Sequence, residues 1–224
     1  MKKVFYVLIF VCLAFSLVSC SKKIDVNEFI AQNAGESEGL ALCALYTKNN
    51  QLLKDVLESG VDVDACSKDK VSALMWAART SNYGAVELLL KSNADPCRVS
   101  SEDLTALDYA CVAGSLRCAE LLVKAGADVN RVSKGDFTPL FIAVNQEGTE
   151  KLAEFLVKNG ADINRQDSHG DSALIYAVYS QNYGQVKNLL KNGADKNLKN
   201  ADGETALDIA KNMDEKKIIR ILSE

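Results

Sequence analysis

A hydroxyl residue, then alanine or proline, then leucine recurs five times in this 224-residue chain. The copies are Ser72-Ala73-Leu74, Thr105-Ala106-Leu107, Thr138-Pro139-Leu140, Ser172-Ala173-Leu174 and Thr205-Ala206-Leu207, spaced 33, 33, 34 and 33 residues apart. Five residues after each hydroxyl stands an alanine: Ala77, Ala110, Ala143, Ala177 and Ala210. A second signature keeps the same phase in Gly126-Ala127-Asp128-Val129-Asn130, Gly160-Ala161-Asp162-Ile163-Asn164 and Gly193-Ala194-Asp195-Lys196-Asn197. Weaker copies are Gly60-Val61-Asp62-Val63-Asp64 and Asn93-Ala94-Asp95. Two motifs locked to one period restrict the chain to an array of stacked units.

The residue types explain the unit. Ser or Thr caps a first helix by accepting a hydrogen bond from an orphan backbone N–H. Pro or Ala next suits the first helical turn. Leu and Ala form the face that packs on neighbouring units. The Gly of Gly-Ala-Asp ends a second helix in the left-handed conformation, and a short hairpin leads on. Isolated helices of two to three turns are marginal in water, so stacking must stabilise them.

These motifs resemble the ankyrin repeat over about residues 39–224. The resemblance implies an all-α solenoid of helix-turn-helix repeats joined by β-hairpin loops, with about six repeats. The first, near residues 40–60, and the last act as caps. The last second helix, near 214–222, keeps Ile218, Ile219, Ile221 and Leu222 for the stack and Glu215, Lys216, Lys217 and Arg220 for water. Departures from the family pattern are specific. The family His after Thr-Pro-Leu is Met75, Asp108, Phe141, Ile175 or Asp208 here, which removes its hydrogen bonds. The hairpin Gly survives as Gly170 and Gly203 but is Lys70, Asp103 and Asp136 elsewhere. Asp tolerates the left-handed region; Lys70 should be strained or should reshape its turn. The 34-residue spacing places one extra residue near 145–149.

The N-terminus, MKKVFYVLIFVCLAFSLVSCSKK, has a basic start at Lys2 and Lys3 and an uncharged apolar run from Val4 to Val18. This is the layout of an export signal. Leu17-Val18-Ser19-Cys20 resembles the lipobox of bacterial lipoproteins, which implies lipidation of Cys20 and cleavage before it. Residues 1–19 then form a signal peptide and 20–38 a lipidated Cys and tether. The expected location is the bacterial cell envelope, anchored to a membrane through lipid. The alternative is a single transmembrane anchor, for which the run is short. Cleavage would take the net charge from −4 to about −6 by removing two lysines and no acid. An acidic body argues against nucleic acid, which is bound mainly through Lys and Arg.

No motif asks for catalysis. The single His169 falls on a hairpin tip, no Cys or His cluster has zinc spacing, and no Gly-rich phosphate loop follows a strand. Neither enzymatic activity, cofactor, metal nor small-molecule substrate is expected. Of the cysteines beyond Cys20, Cys111 and Cys118 fall at inward helix positions and read as small core residues. Cys66 and Cys97, 31 residues apart in adjacent hairpins, could pair only if the layers bring their Cα atoms within about 7 Å.

The resemblance implies partner contacts through hairpin tips and the exposed side of the first helix. The residues before the capping hydroxyls are Val71, Leu104, Phe137, Asp171 and Glu204. First-helix positions on the same concave side include Arg79, Val112, Asn145 and Tyr179. Val71, Leu104, Phe137 and Val112 would form an apolar band, edged by Lys68, Arg79, Lys134 and Asp171. Trp76, Tyr109 and Tyr176 are expected in the core. The expected function is binding of another protein by Val71, Arg79, Leu104, Val112, Phe137, Asn145, His169, Asp171 and Tyr179. The alternatives are a structural envelope lipoprotein without a partner, or a thiol-based redox or metal protein.

Overall fold

A computed structural model describes residues 50–224. The signal segment, Cys20, the tether and Cys43 lie outside the described residues. Eleven helices are present among those described: α1 (Gln51–Glu58), α2 (Ala73–Arg79), α3 (Tyr83–Lys91), α4 (Ala106–Val112), α5 (Leu116–Lys124), α6 (Pro139–Val144), α7 (Glu150–Lys158), α8 (Ala173–Tyr179), α9 (Tyr183–Lys191), α10 (Ala206–Asn212) and α11 (Lys216–Ser223). First helices pack on first helices (α2 on α4, α4 on α6, α6 on α8, α8 on α10) and second helices on second helices. Helix α1 is the second helix of layer 1, and layers 2 to 6 each contribute a complete pair.

Each first helix starts where its hydroxyl stands. The side chains of Ser72, Thr105, Thr138, Ser172 and Thr205 accept from the N–H three residues on, at 3.3–3.4 Å. Asp108 and Asp208, at two of the former His positions, accept in return from the N–H groups of Thr105 and Thr205 at 2.8 and 3.1 Å. These are complete capping boxes. Met75, Phe141 and Ile175 fill the same position as buried apolar side chains.

The repeated leucines and alanines form the core. Leu74, Leu107, Leu140 and Leu174 are buried in register, as are Ala77, Ala110, Ala143, Ala177 and Ala210. Leu207, in the last layer among the described residues, is only half-buried, with no described layer stacked beyond it. Layer 4 carries the extra residue in the turn after α6, where Gly148 has φ +71° and Thr149 donates to the Ala143 carbonyl at 2.5 Å.

A ladder of polar side chains ties the layers along their edge. In each copy of the loop that follows a second helix, the Asp side chain (Asp62, Asp95, Asp128, Asp162, Asp195) accepts from the N–H two residues on, at 2.8–3.0 Å. The residue at that second place then reaches the next layer. Asp64 accepts from the Asp95 N–H at 3.1 Å, and Asn130 and Asn164 accept from those of Asp162 and Asp195 at 2.8 Å each. Cys97 occupies this place in layer 3 and carries no acceptor oxygen. Its Sγ instead lies 3.7 Å from the Gly126 carbonyl, so one rung of the ladder is replaced by a weak thiol contact.

The joining loops are tighter than the expected hairpins. Their pairing is confined to single antiparallel bridges, Cys66 with Ser72, Gln166 with Ser172 and Lys199 with Thr205. Lys70 takes φ +55° rather than reshaping its turn, and Asp103 and Asp136 take +63° and +66°.

Candidate protein-binding face

The first-helix face and the loop tips carry the expected partner residues, and their exposure divides them. Arg79, Val112, Asn145 and Tyr179 all end a first helix or follow it directly, and all are exposed. Val112 and Tyr179 are 44% and 43% exposed; Tyr83, Val99 and Tyr183 are exposed as well but lie off this row. Arg79 lies over the Trp76 ring at 5.4 Å, a cation–π contact. Ser180 donates to the Asn145 side chain at 3.0 Å, joining layers 4 and 5.

The apolar tips behave differently. Val71, Leu104 and Phe137 are half-buried and pack against the core. The Phe137 ring sits 6.0 Å from that of Tyr176 in the next layer, and the Phe141 ring lies tilted against the same ring at 5.2 Å. Phe137 thus spends much of its surface on the stack and is not a free-standing tip. Trp76 and Tyr176, expected in the core, are half-buried and line this face, whereas Tyr109 is buried.

Layers 5 and 6 bring together polar groups that sequence reasoning did not connect. Tyr176 donates its hydroxyl to the Asp167 carboxylate at 2.7 Å. The N–H groups of His169 and Asp171 donate to the other oxygen at 2.9 and 2.8 Å. Burial works against the Asp167 charge, but the hydroxyl and the two N–H groups outweigh it and hold the carboxyl below its ordinary range. Burial, then the neighbouring Asp167 charge, push Asp171 the other way. Buried Asn200 donates to the Tyr179 hydroxyl at 3.4 Å. His169 itself is 79% exposed on the tip. The aromatic at position 176 was visible in the sequence; its hydroxyl partner nine residues upstream was not.

Cys66 and Cys97 are both free thiols. The pairing considered from the sequence is not made, and the Cys97 Sγ turns to the Gly126 carbonyl at 3.7 Å. Cys111 and Cys118 are buried, and burial raises both thiols above their ordinary range, so neither is poised as a thiolate. Among the described residues no group of three or more His, Cys, Asp or Glu is placed to hold a metal ion.

Short helical pairs, hydroxyl caps and a stacked alanine-leucine core define a helical repeat solenoid. The sequence profile of the family described as ankyrin repeats (three copies) matches residues 40–133 and 140–224, and the chain belongs to that family. It is similar to the crystal structure of the ankyrin repeat domain of Bcl-3, a unique member of the IkappaB protein family. The TM-score is 0.75 and identity 26%, over 82% of this chain and 84% of that one. No curated protein sequence matches it.

Proposed function

We propose that this chain is a lipid-anchored protein of the bacterial cell envelope whose ankyrin array binds another protein and performs no catalysis. The observation that carries the reading is the in-register row Arg79, Val112, Asn145 and Tyr179. The repeat could have filled these positions with small polar residues, yet two are large, apolar and exposed. Aromatic and aliphatic side chains left in water on one face are what a protein partner can desolvate. Anchoring is supported by the order of basic start, apolar run and Leu17-Val18-Ser19-Cys20. Several acyl chains on Cys20 would hold the array stably at a membrane.

Two experiments test the two halves. Cys20→Ala should abolish lipid labelling and release the protein from membranes; unchanged labelling removes the anchor. The double variant Val112→Ser, Tyr179→Ser should lose partner capture while melting at the same temperature. Undiminished capture removes the assignment of this face. Leu104 and Phe137 serve the site from beneath, so their truncation should lower stability together with binding.

A further inference from the structure

Layers 2 and 5 answer the same positional question in opposite ways. In layer 2 the face aromatic is Trp76, and Arg79 covers it at 5.4 Å. In layer 5 the matching residues are Tyr176 and Tyr179, so the arginine is gone and a second aromatic ring stands in its place, 43% exposed. The charges around the two layers also differ. The loop of layer 2 offers Lys68 and Lys70 on either side of Asp69. The loops of layers 5 and 6 offer Asp171, Asp202 and Glu204. The Asn200 side chain that donates to the Tyr179 hydroxyl at 3.4 Å also accepts from the N–H groups of Asp202 and Glu204 at 3.1 and 3.0 Å, which holds that loop against Tyr179. Burial, then the charges of Asp171, Glu204 and Asp202, hold the Tyr179 proton more tightly. Among the described residues no lysine or arginine forms a salt bridge with any of these three carboxylates. By contrast, Asp103 in the layer 3 loop, at the place Gly170 and Gly203 hold in layers 5 and 6, is held by Arg131, which also reaches toward buried Asp108 at 3.9 Å.

We infer that the layer 5–6 end of this face takes a cationic side chain, arginine or lysine, from an extended segment of the partner protein. The cation rests on the Tyr179 ring, as Arg79 rests on Trp76, and faces Asp171, Asp202 and Glu204. The apolar part of the segment lies along Val112. Charge complementarity selects this occupant. An acidic segment would meet three carboxylates that no lysine or arginine neutralises, and a purely apolar one would leave them facing a desolvated surface. Guanidinium suits the place best, because it stacks on an aromatic ring while its edge donates to carboxylates. The inference rests on the first-helix face being the protein-binding surface.

The test is selection of a random-peptide display library on the full chain in detergent, followed by affinity measurement of the enriched peptides. Enriched peptides should share an arginine or lysine and, about five to six residues away, an apolar residue, because Val112 lies two layers of roughly 8–10 Å from Tyr179 and an extended segment rises about 3.3 Å per residue. Their affinity should fall roughly tenfold with Tyr179→Ala, much less with Tyr179→Phe, and should fall with Asp171→Asn or Glu204→Gln. Added salt should weaken binding. Tyr83→Ala, exposed at the start of α3 and outside the row, should leave it unchanged, and thermal melts should show all variants folded. Enriched peptides that need Val112 but carry no cation, and that ignore Tyr179→Ala, overturn the cationic occupant and leave the protein-binding face standing. No enrichment, or binding indifferent to Val112, Asn145 and Tyr179 alike, overturns both.

Discussion

Layers 2 and 5 are the same structure with different surfaces. Ser72 and Ser172 cap their first helices, Asn82 and Asn182 cap their second helices, and Ser81 and Gln181 take φ +56° and +54° between them. Leu74 and Leu174, Ala77 and Ala177, Leu89 and Leu189 are buried alike. Lys70 against Gly170, Val71 against Asp171, and Arg79 against Tyr179 all fall on the tip or the first-helix end. The scaffold is set by caps and small core residues, so positions outside that set are free to specify a partner. A repeat protein separates the two jobs by position rather than by domain.

The largest test of the comparison is in the core. Leu74→Ala and Leu174→Ala should each cost about 2–5 kcal/mol in urea unfolding, because both remove a buried leucine from between layers. If only one is costly, the layers are not equivalent scaffolds.

The next test separates the layers at their aromatics. Tyr176→Phe removes a hydroxyl that donates to a carboxylate and should cost about 1.5–3 kcal/mol. Trp76→Phe has no such bond to lose. The pH dependence carries a sign. Asp167 is held below its ordinary range when folded, so its contribution is complete above the unfolded carboxylate pKa and lost as pH falls through the lower folded value. Tyr176→Phe should therefore shift the acid unfolding midpoint upward. Asp108 does the reverse: burial raises it, the native state binds its proton more tightly, and stability from this group grows as pH falls from neutral through its folded pKa. Asp108→Asn should flatten that rise. Urea midpoints measured across mildly acidic pH distinguish the two.

Smaller effects lie in the turns. Lys70→Gly should stabilise by roughly 1–2 kcal/mol by relieving the left-handed conformation at φ +55°. Gly170→Ala should destabilise, since a Cβ there would lie 2.9 Å from the Ala201 backbone nitrogen. Cys97→Asn should restore the missing rung to the Asp128 N–H and stabilise by about 1 kcal/mol. Thermal melts rank all three, and a neutral Cys97→Asn would show that the ladder is incidental.

Much of the fold was legible because it is local. Caps, helix ends and the extra residue of layer 4 depend on neighbours within a few positions, and the period repeats the same evidence. The surface was less legible because burial depends on the next layer. Phe137 reads as an exposed tip until Tyr176, 39 residues on, is placed against it. Asp108 and Asp208 occupy the same position with the same cap. Only the first has a layer on both sides, so burial raises it, while the bonds from Thr205 lower the second. The row of Arg79, Val112, Asn145 and Tyr179 was legible, since its exposure follows from helix phase alone. The Asp167–Tyr176 bond was not, because no short-range pattern pairs a loop carboxylate with a hydroxyl on the following helix.

The central claim is that one face of the stack binds a protein. Photo-crosslinking amino acids at positions 112 and 179 should trap the same partner protein in intact cells. The same group at Tyr83, 57% exposed at the start of α3, should not trap it. Equal trapping from all three positions, or none from 112 and 179, would contradict the account.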